Sequence, residues 1–229
     1  MKTKSAVTAE FLGTFFLCFS GIAAIVGGTA VVGSGIGLVG VALAHGLALS
    51  VAVNAFGGVS GAHFNPAVTI AMLVTRRLEP LGAVLYIVAQ LAAATLAALI
   101  VCHVFPGEAV SQAMLGIPLP AAWATLPVVL TVEFVLTFLL VTAIFGTAVD
   151  KRGAGVKIGG FGIGLTVAFD ILAGGPITGA SMNPARSFGP ALVYDYWAWH
   201  VWYWVAPIAG AVAAAIVYDT LILDKNDRS

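Results

Sequence analysis

The sequence predicts an all-α integral membrane protein with six transmembrane helices and two shorter re-entrant half-helices. Three observations support this prediction. The 229 residues are 60% hydrophobic and only 9% charged, with a mean hydropathy of +1.04, whereas about a quarter of a soluble domain is charged. Six stretches are long and apolar enough to span a bilayer, which takes about 20 residues. The two halves of the chain also repeat each other's motifs.

The composition excludes several classes of protein. Ten Lys and Arg with ten Asp and Glu are too few to cover a water-facing surface, which excludes an ordinary cytosolic enzyme and a disordered chain. The same scarcity of charge argues against a nucleic-acid partner, which would require a basic patch, whereas the zero net charge by itself says nothing about partners. Cys18 and Cys102 are too few for a disulfide framework and are expected to be small buried hydrophobes.

The predicted elements follow from the apolar runs and the residues between them. The first run contains Glu10 and no convincing cleavage site, so it is interpreted as a membrane helix and not as a signal peptide. Prolines make 105–123 a long irregular connection, and 150–157 is a polar loop. The predicted spans are about 7–27, 36–57, 81–104, 126–148, 158–174 and 201–223. Two apolar segments, 66–75 and 184–194, are too short to span, and each opens on Asn-Pro-Ala.

The positive charges predict the orientation. Nine of the ten Lys and Arg lie before span one, between spans two and three, between spans four and five, or after span six. With six spans all four regions fall on one side, which the positive-inside rule makes cytoplasmic. We therefore expect a multi-pass protein of the plasma membrane with cytoplasmic N- and C-termini. The tenth cation, Arg186, lies in the second Asn-Pro-Ala segment.

An internal repeat predicts how the short segments are arranged. "AEFLGTFFL" at 9–17 matches "VEFVLTFLL" at 132–140, and "SGAHFNPAVT" at 60–69 matches "TGASMNPARS" at 178–187. Each half has three spans, so the second half enters from the opposite face, giving one channel domain of inverted repeats, about 1–118 and 119–229. Two half-helices of about 15 Å each would meet near the midplane of a hydrocarbon layer of about 30 Å.

The repeated Asn-Pro-Ala boxes indicate a site for a neutral permeant. Asn is a good N-cap and Pro favours the first helical position, so helices begin at Asn65-Pro66-Ala67 and Asn183-Pro184-Ala185. If each Asn oxygen caps its own helix, its NH2 group is left to donate into the cavity. Two helix N-termini and two donors favour oxygen acceptors and repel cations.

The twin boxes, the six-plus-two layout and the paired glutamates resemble the aquaporin (major intrinsic protein) family over essentially the whole chain. This resemblance implies a right-handed helix bundle that assembles as a homotetramer with one pore per subunit. Ser187, Ala191 and the pair Tyr203-Trp204 stand where the family's glycerol channels carry other residues, so these positions favour a water channel.

The resemblance also implies roles for individual residues. The family's selectivity filter maps to His45, Ile171, Ala180 and Arg186. His and Ile replace the usual Phe and His, which resembles the tonoplast intrinsic proteins. The resemblance places His63 in the cytoplasmic half of the pore. It assigns Glu10 and Glu133 to holding the approaches to the half-helices, with a proton relay as the alternative. Asp170 receives no explanation from the sequence.

These observations predict a passive channel that conducts water, excludes protons and ions, and also passes ammonia. The alternatives are a facilitator of glycerol or other small neutral solutes and an ion-coupled small-solute transporter. No enzyme motif, metal-ligand spacing or cofactor is indicated. The expected partners are the permeant, the lipid bilayer and further copies of the chain. Short termini and a short first loop favour a prokaryotic origin.

Overall fold

A computed structural model describes residues 3–30, 36–154 and 158–224, and every regular element in them is helical. The α-helices are α1 (Thr3–Ala30), α2 (Gly37–Ser60), α3 (Pro66–Val74), α4 (Pro80–Val104), α5 (Gly107–Gln112), α6 (Leu126–Ile144), α7 (Lys151–Ala154), α8 (Gly159–Thr178), α9 (Pro184–Tyr194) and α10 (Trp202–Val217). A turn of 3-10 helix at Met114–Gly116 follows α5. Turns of π-helix at Phe145–Val149 and Tyr218–Ile222 extend α6 and α10. Six of the described helices are long and apolar enough to cross a membrane.

The predicted fold class is confirmed, and the predicted boundaries differ by a few residues. The differences are largest at the start of the first span, where α1 begins at Thr3 and not at 7, and at the end of the fifth span, where α8 runs to Thr178 and not to 174. The helix continues through Pro176 and ends where Gly179 takes a left-handed φ of 78°, a conformation open to glycine. The connection 105–123 contains α5, and the loop 150–157 begins with α7. Of the cations used for orientation, Lys2, Lys157, Lys225 and Arg228 lie outside the described residues.

Glycines bring pairs of long helices into backbone contact. A Cβ on Gly46 of α2 would overlap the backbone of Gly164 in α8, and a Cβ on Gly210 of α10 would overlap the backbone of Phe134 in α6. Small residues at helix crossings are the usual way for membrane helices to gain van der Waals contact, because lipid supplies no hydrophobic force between them.

The two half-helices interlock the halves of the chain. Helix α3, from the first half, packs against α10, and α9, from the second half, packs against α4. The segment after α3 is also tied to the second half, because Arg77 forms a salt bridge of 2.7 Å with Asp219 and lies 5.2 Å from the ring centroid of Phe145.

The two cysteines differ in exposure. Cys18 is fully buried in the core between α1 and α4, but Cys102 is exposed. The expectation that both are buried was wrong for Cys102, which lies one helical turn from exposed Leu99 on the outward face of α4.

Candidate pore

Each half-helix begins at the asparagine of its box. Asn65 and Asn183 have extended backbones, and the Oδ1 atom of each accepts a hydrogen bond of 2.9 Å from the backbone N–H two residues later, at Ala67 and Ala185. Pro66 and Pro184 occupy the first turn, where a missing N–H costs nothing. The sequence therefore caps both helices by the same local device.

The asparagine side chains also join the two boxes across the centre of the molecule. Asn65 Nδ2 donates to the carbonyl oxygen of Met182 at 2.8 Å, and Asn183 Nδ2 donates to that of Phe64 at 2.9 Å. This corrects the expectation that each NH2 group is wholly left for the cavity. One hydrogen of each group is used between the loops, which leaves the second for a permeant.

The segments that approach the boxes share an unusual backbone. Gly61, Ala62 and Phe64 have positive φ values, and so have Gly179, Ala180 and Met182 in the second half. Positive φ is uncommon for residues other than glycine and costs of order 1–3 kcal/mol each. These loops therefore need strong external anchors.

In the first half the anchor is the carboxylate of Glu10, which is fully buried. Glu10 Oε1 accepts from Ser60 Oγ at 2.7 Å and from the N–H of His63 at 2.9 Å. Glu10 Oε2 accepts from the N–H of Phe64 at 2.7 Å and from Gln90 Nε2 at 2.8 Å. Charge-assisted bonds to a carboxylate are about twice as strong as neutral ones, so one side chain fixes the whole loop.

In the second half the same place is taken by the buried Glu133. Its Oε1 accepts from Thr178 Oγ1 at 2.7 Å and from the N–H of Ser181 at 2.9 Å, and its Oε2 accepts from the N–H of Met182 at 2.8 Å. Tyr203 supports the same turn by donating to the carbonyl oxygen of Thr178 at 2.6 Å.

Two adjoining cavities lie along the line of the boxes. The narrow one, about 30 Å³, is lined by both asparagines and both approach loops, with an apolar wall from α1, α2, α6 and α8. The wider one, about 290 Å³, lies beyond it and is lined mainly by apolar residues and by the segment after α5. The residues that line both are His45, Ile171 and Arg186.

These three residues therefore mark the junction between the cavities, and Ala180 lines the narrow side only. The Arg186 side chain is buried, and its Nη1 donates to the carbonyl oxygen of Gly116 at 2.9 Å. His45 Nδ1 lies 2.9 Å from the carbonyl oxygen of Val41. The four residues assigned to the filter from the sequence thus line one continuous region.

His63 lies on the other side of the boxes and lines the narrow cavity. Its Nδ1 is 3.2 Å from Thr69 Oγ1, and its ring packs edge-on against Tyr86 at 5.3 Å between centroids. The corresponding wall in the second half carries Ser181, whose hydroxyl is hydrogen-bonded to that of Ser187. The lining is thus polar near the boxes on both sides.

Asp170 does not line either cavity. Its side chain is fully buried, and neither carboxyl oxygen has a hydrogen-bond partner among the described residues. In the described part of the chain no group of three or more His, Cys, Asp or Glu side chains is placed to hold a metal ion.

Several residues of this site were missed from the sequence. Gln90 and Tyr86 were not singled out, and Tyr203 was noted only in the comparison with glycerol channels. The two tyrosines support the loops by donating to Ser60 and Thr178, and they are 117 positions apart, close to the spacing of 118 between the boxes. Gly116 was missed because a backbone acceptor has no signature in the sequence.

Comparison with known proteins agrees with this architecture. A family model described as Major intrinsic protein matches residues 1–218. Aquaporin TIP4-4 of Zea mays is 43% identical over 230 residues, which are 96% of this chain and 88% of that protein. Probable aquaporin TIP3-2 of Arabidopsis thaliana is 43% identical over 231 residues, covering 95% and 84%.

A solved structure shows the same fold. The aquaglyceroporin from Plasmodium falciparum superposes with a TM-score of 0.86 over 96% of this chain and 97% of that chain, at 24% identity. With the family model and the plant relatives, this match establishes that the chain belongs to the major intrinsic protein family, multi-pass membrane channels for water or small solutes.

Proposed function

We propose that the protein is a passive water channel that excludes protons and ions. The observation that carries this proposal is the meeting of two capped helix N-termini, at Asn65 and Asn183, within one narrow cavity. A passive channel needs a continuous path lined by polar groups, and it needs no titratable group that couples transport to an ion. Glu10 and Glu133 then hold the strained loops and do not relay protons, since every hydrogen bond that they accept from the described residues comes from a loop or helix donor.

Exclusion of protons follows from the donors at the boxes. A water that accepts from the second N–H of both asparagines turns its own hydrogens outward, so the chain of waters is not continuous for proton transfer. The converging helix N-termini add a positive potential. Arg186 adds a full charge at the junction of the cavities, so cations meet two barriers.

The filter formed by His45, Ile171, Ala180 and Arg186 resembles that of the tonoplast intrinsic proteins, and we propose that it also passes ammonia. Ile171 makes one wall apolar, and Ala180 adds width. Ammonia is close to water in size and both donates and accepts hydrogen bonds, whereas ammonium meets Arg186 and is repelled.

The alternatives have weaker support. Glycerol is larger than water and would meet His45 and Arg186 together at the junction. An ion-coupled transporter would need titratable groups at the boxes, which consist of Asn, Pro and Ala. We further propose a homotetramer in a plasma membrane with cytoplasmic termini. The prokaryotic origin stays a prediction.

The test is stopped-flow light scattering on proteoliposomes, with water, ammonia and glycerol measured in parallel against empty liposomes. We expect fast water flux, measurable ammonia uptake and little glycerol flux. A pH gradient that collapses at a rate tracking the water flux would contradict proton exclusion.

The ammonia proposal has its own test. An inward ammonium-salt gradient should make the vesicle interior alkaline faster than in empty liposomes. The paired variant His45→Phe with Ile171→His should reduce ammonia uptake while largely keeping water flux. Equal uptake by loaded and empty vesicles would leave a plain water channel.

A further inference from the structure

Gly21 of α1 faces the imidazole of His45 at direct contact. A Cβ built on Gly21 would overlap three atoms of that ring, Nε2, Cδ2 and Cε1. Both residues are buried. The edge of the ring therefore lies against the bare backbone of α1, in a recess that exists only because residue 21 has no side chain.

The hydrogen bond between the His45 ring and Val41 determines which ring nitrogen carries the hydrogen. A carbonyl oxygen can only accept, so the 2.9 Å contact with Val41 requires that Nδ1 of His45 carries a hydrogen. In the neutral ring Nε2 is then the acceptor, and it has no partner among the described residues. Beyond that one bond within α2, the recess is what determines where the ring lies.

The position of the ring matters because His45 lines both cavities, together with Ile171 and Arg186. Arg186 is held by Gly116, and Ile171 is part of the helix α8. A side chain on residue 21 would have to displace the imidazole from α1, and the open space beside the ring is the junction of the cavities.

The equivalent place in the second half carries no glycine. Gly21 comes eleven positions after Glu10, and the same step from Glu133 reaches Ile144, which itself lines the narrow cavity. A large residue in the wall is thus compatible with the fold at the equivalent place. The glycine at position 21 is therefore explained by the His45 ring that lies against it and not by the fold.

We propose that Gly21 sets the width of the channel at the junction of the two cavities, because its recess keeps the His45 ring out of the lumen. This inference rests on the proposed function, since it concerns the path of the permeant.

The experiment compares water flux per folded protein in proteoliposomes for the full chain and four variants. Gly21→Ala should lower water flux roughly tenfold, the effect of adding about 1.4 kcal/mol to the barrier. Gly27→Ala is the matched control on the same helix. Its Cβ would lie 3.5 Å from Phe105, an ordinary contact, so flux should be unchanged.

Removing the ring should remove the effect. The double variant Gly21→Ala/His45→Ala should conduct as His45→Ala does, within twofold, and this comparison holds even if Gly21→Ala alone folds poorly. Gly21→Ala flux equal to that of Gly27→Ala would overturn the inference, as would a loss that persists in the double variant. A wild-type protein without water flux would instead overturn the proposed function.

Discussion

The two buried glutamates support equivalent loops but have different partners. From the described residues, Glu10 accepts four hydrogen bonds and Glu133 accepts three. The additional donor is Gln90, four residues after Tyr86. The residue four after the equivalent Tyr203 is Pro207, which has no side-chain donor. The second half thus holds the same loop geometry with one hydrogen bond fewer to its glutamate.

The groups that face the pore differ more than the groups that support it. Glu, Asn, the tyrosines and the loop backbone recur in both halves. Arg186, three residues after Asn183, corresponds to Val68, three after Asn65, and both line the narrow cavity. We infer that residues repeated in both halves mainly support the fold, while pore-facing residues that differ between the halves determine selectivity. The following predictions test this distinction.

The largest effect is expected from exchanging the glutamates for glutamine. An amide NH2 group in place of a carboxylate oxygen faces a backbone N–H and leaves it unpaired, at a cost of about 2–4 kcal/mol. Glu133→Gln should lower the melting temperature of the purified protein more than Glu10→Gln. In the latter, Gln90 can turn its amide and accept from the new NH2 group.

Both variants should keep their selectivity if they fold. Thermal unfolding in detergent measures the loss of stability, and proton flux in proteoliposomes measures selectivity. A stable Glu133→Gln protein with altered proton flux would favour the proton relay.

The next largest effect is expected from Arg186→Val, which gives the second half the residue found in the first. Loss of the fixed charge at the junction should raise cation leak by roughly an order of magnitude while water flux is kept. Cation flux across loaded liposomes is the measurement, with Val68→Ala as the matched change in the other half. Unchanged exclusion would place the barrier at the boxes.

A smaller effect is expected from Gln90→Leu, which leaves Glu10 Oε2 with one donor, as in Glu133. The variant also loses the hydrogen bond of 3.0 Å from Gln90 Nε2 to Thr69 Oγ1. The lost bond to the charged acceptor alone should cost about 1.5–3 kcal/mol. Chemical or thermal unfolding would measure it. Asp170→Asn is the contrasting change, because the Asp170 carboxylate has no hydrogen-bond partner to lose in the described part of the chain and its charge is costly to bury. That variant should be at least as stable as the wild type.

The smallest effect concerns the end of α6. Asp150 accepts from Arg152 at 2.9 Å and from Tyr218 at 3.1 Å, and the Arg152 hydrogen bonds hold the pKa of that carboxyl well below its ordinary value. A lowered pKa in the folded state means that the contribution to stability is present above the unfolded pKa of about 3.9. It is lost as the pH falls through the folded pKa.

Asp150→Asn should therefore lower stability slightly at neutral pH and reduce its dependence on pH in the acid range. Melting temperatures from pH 7 downward are the measurement. The first half has no carboxylate at the equivalent position, because the spacing of the glutamates aligns Asp150 with Gly27. The acid dependence that Asp150 contributes is therefore expected from the second half alone. Identical acid profiles for Asp150→Asn and wild type would contradict the role of this ion pair.

The sequence by itself determined the features that depend on composition and local chemistry. Apolar runs separated by Gly, Pro and charge fix six spans, because lipid leaves backbone groups no partner but their own helix. Asn followed by Pro fixes the two half-helix starts, because capping involves only neighbouring residues. The repeated motifs indicate that the second half is inverted, because each half has an odd number of spans.

Only the tertiary structure decided what depends on residues far apart in the chain. It turned one hydrogen of each box asparagine to the opposite loop, over 117 and 119 positions. It brought Gln90 to Glu10, Gly116 to Arg186 and Gly21 to His45. It also placed Asp170 where no described residue forms a hydrogen bond with its carboxylate, which its place in an apolar run did not reveal. Such contacts arise from how helices pack, and no local pattern encodes a packing partner.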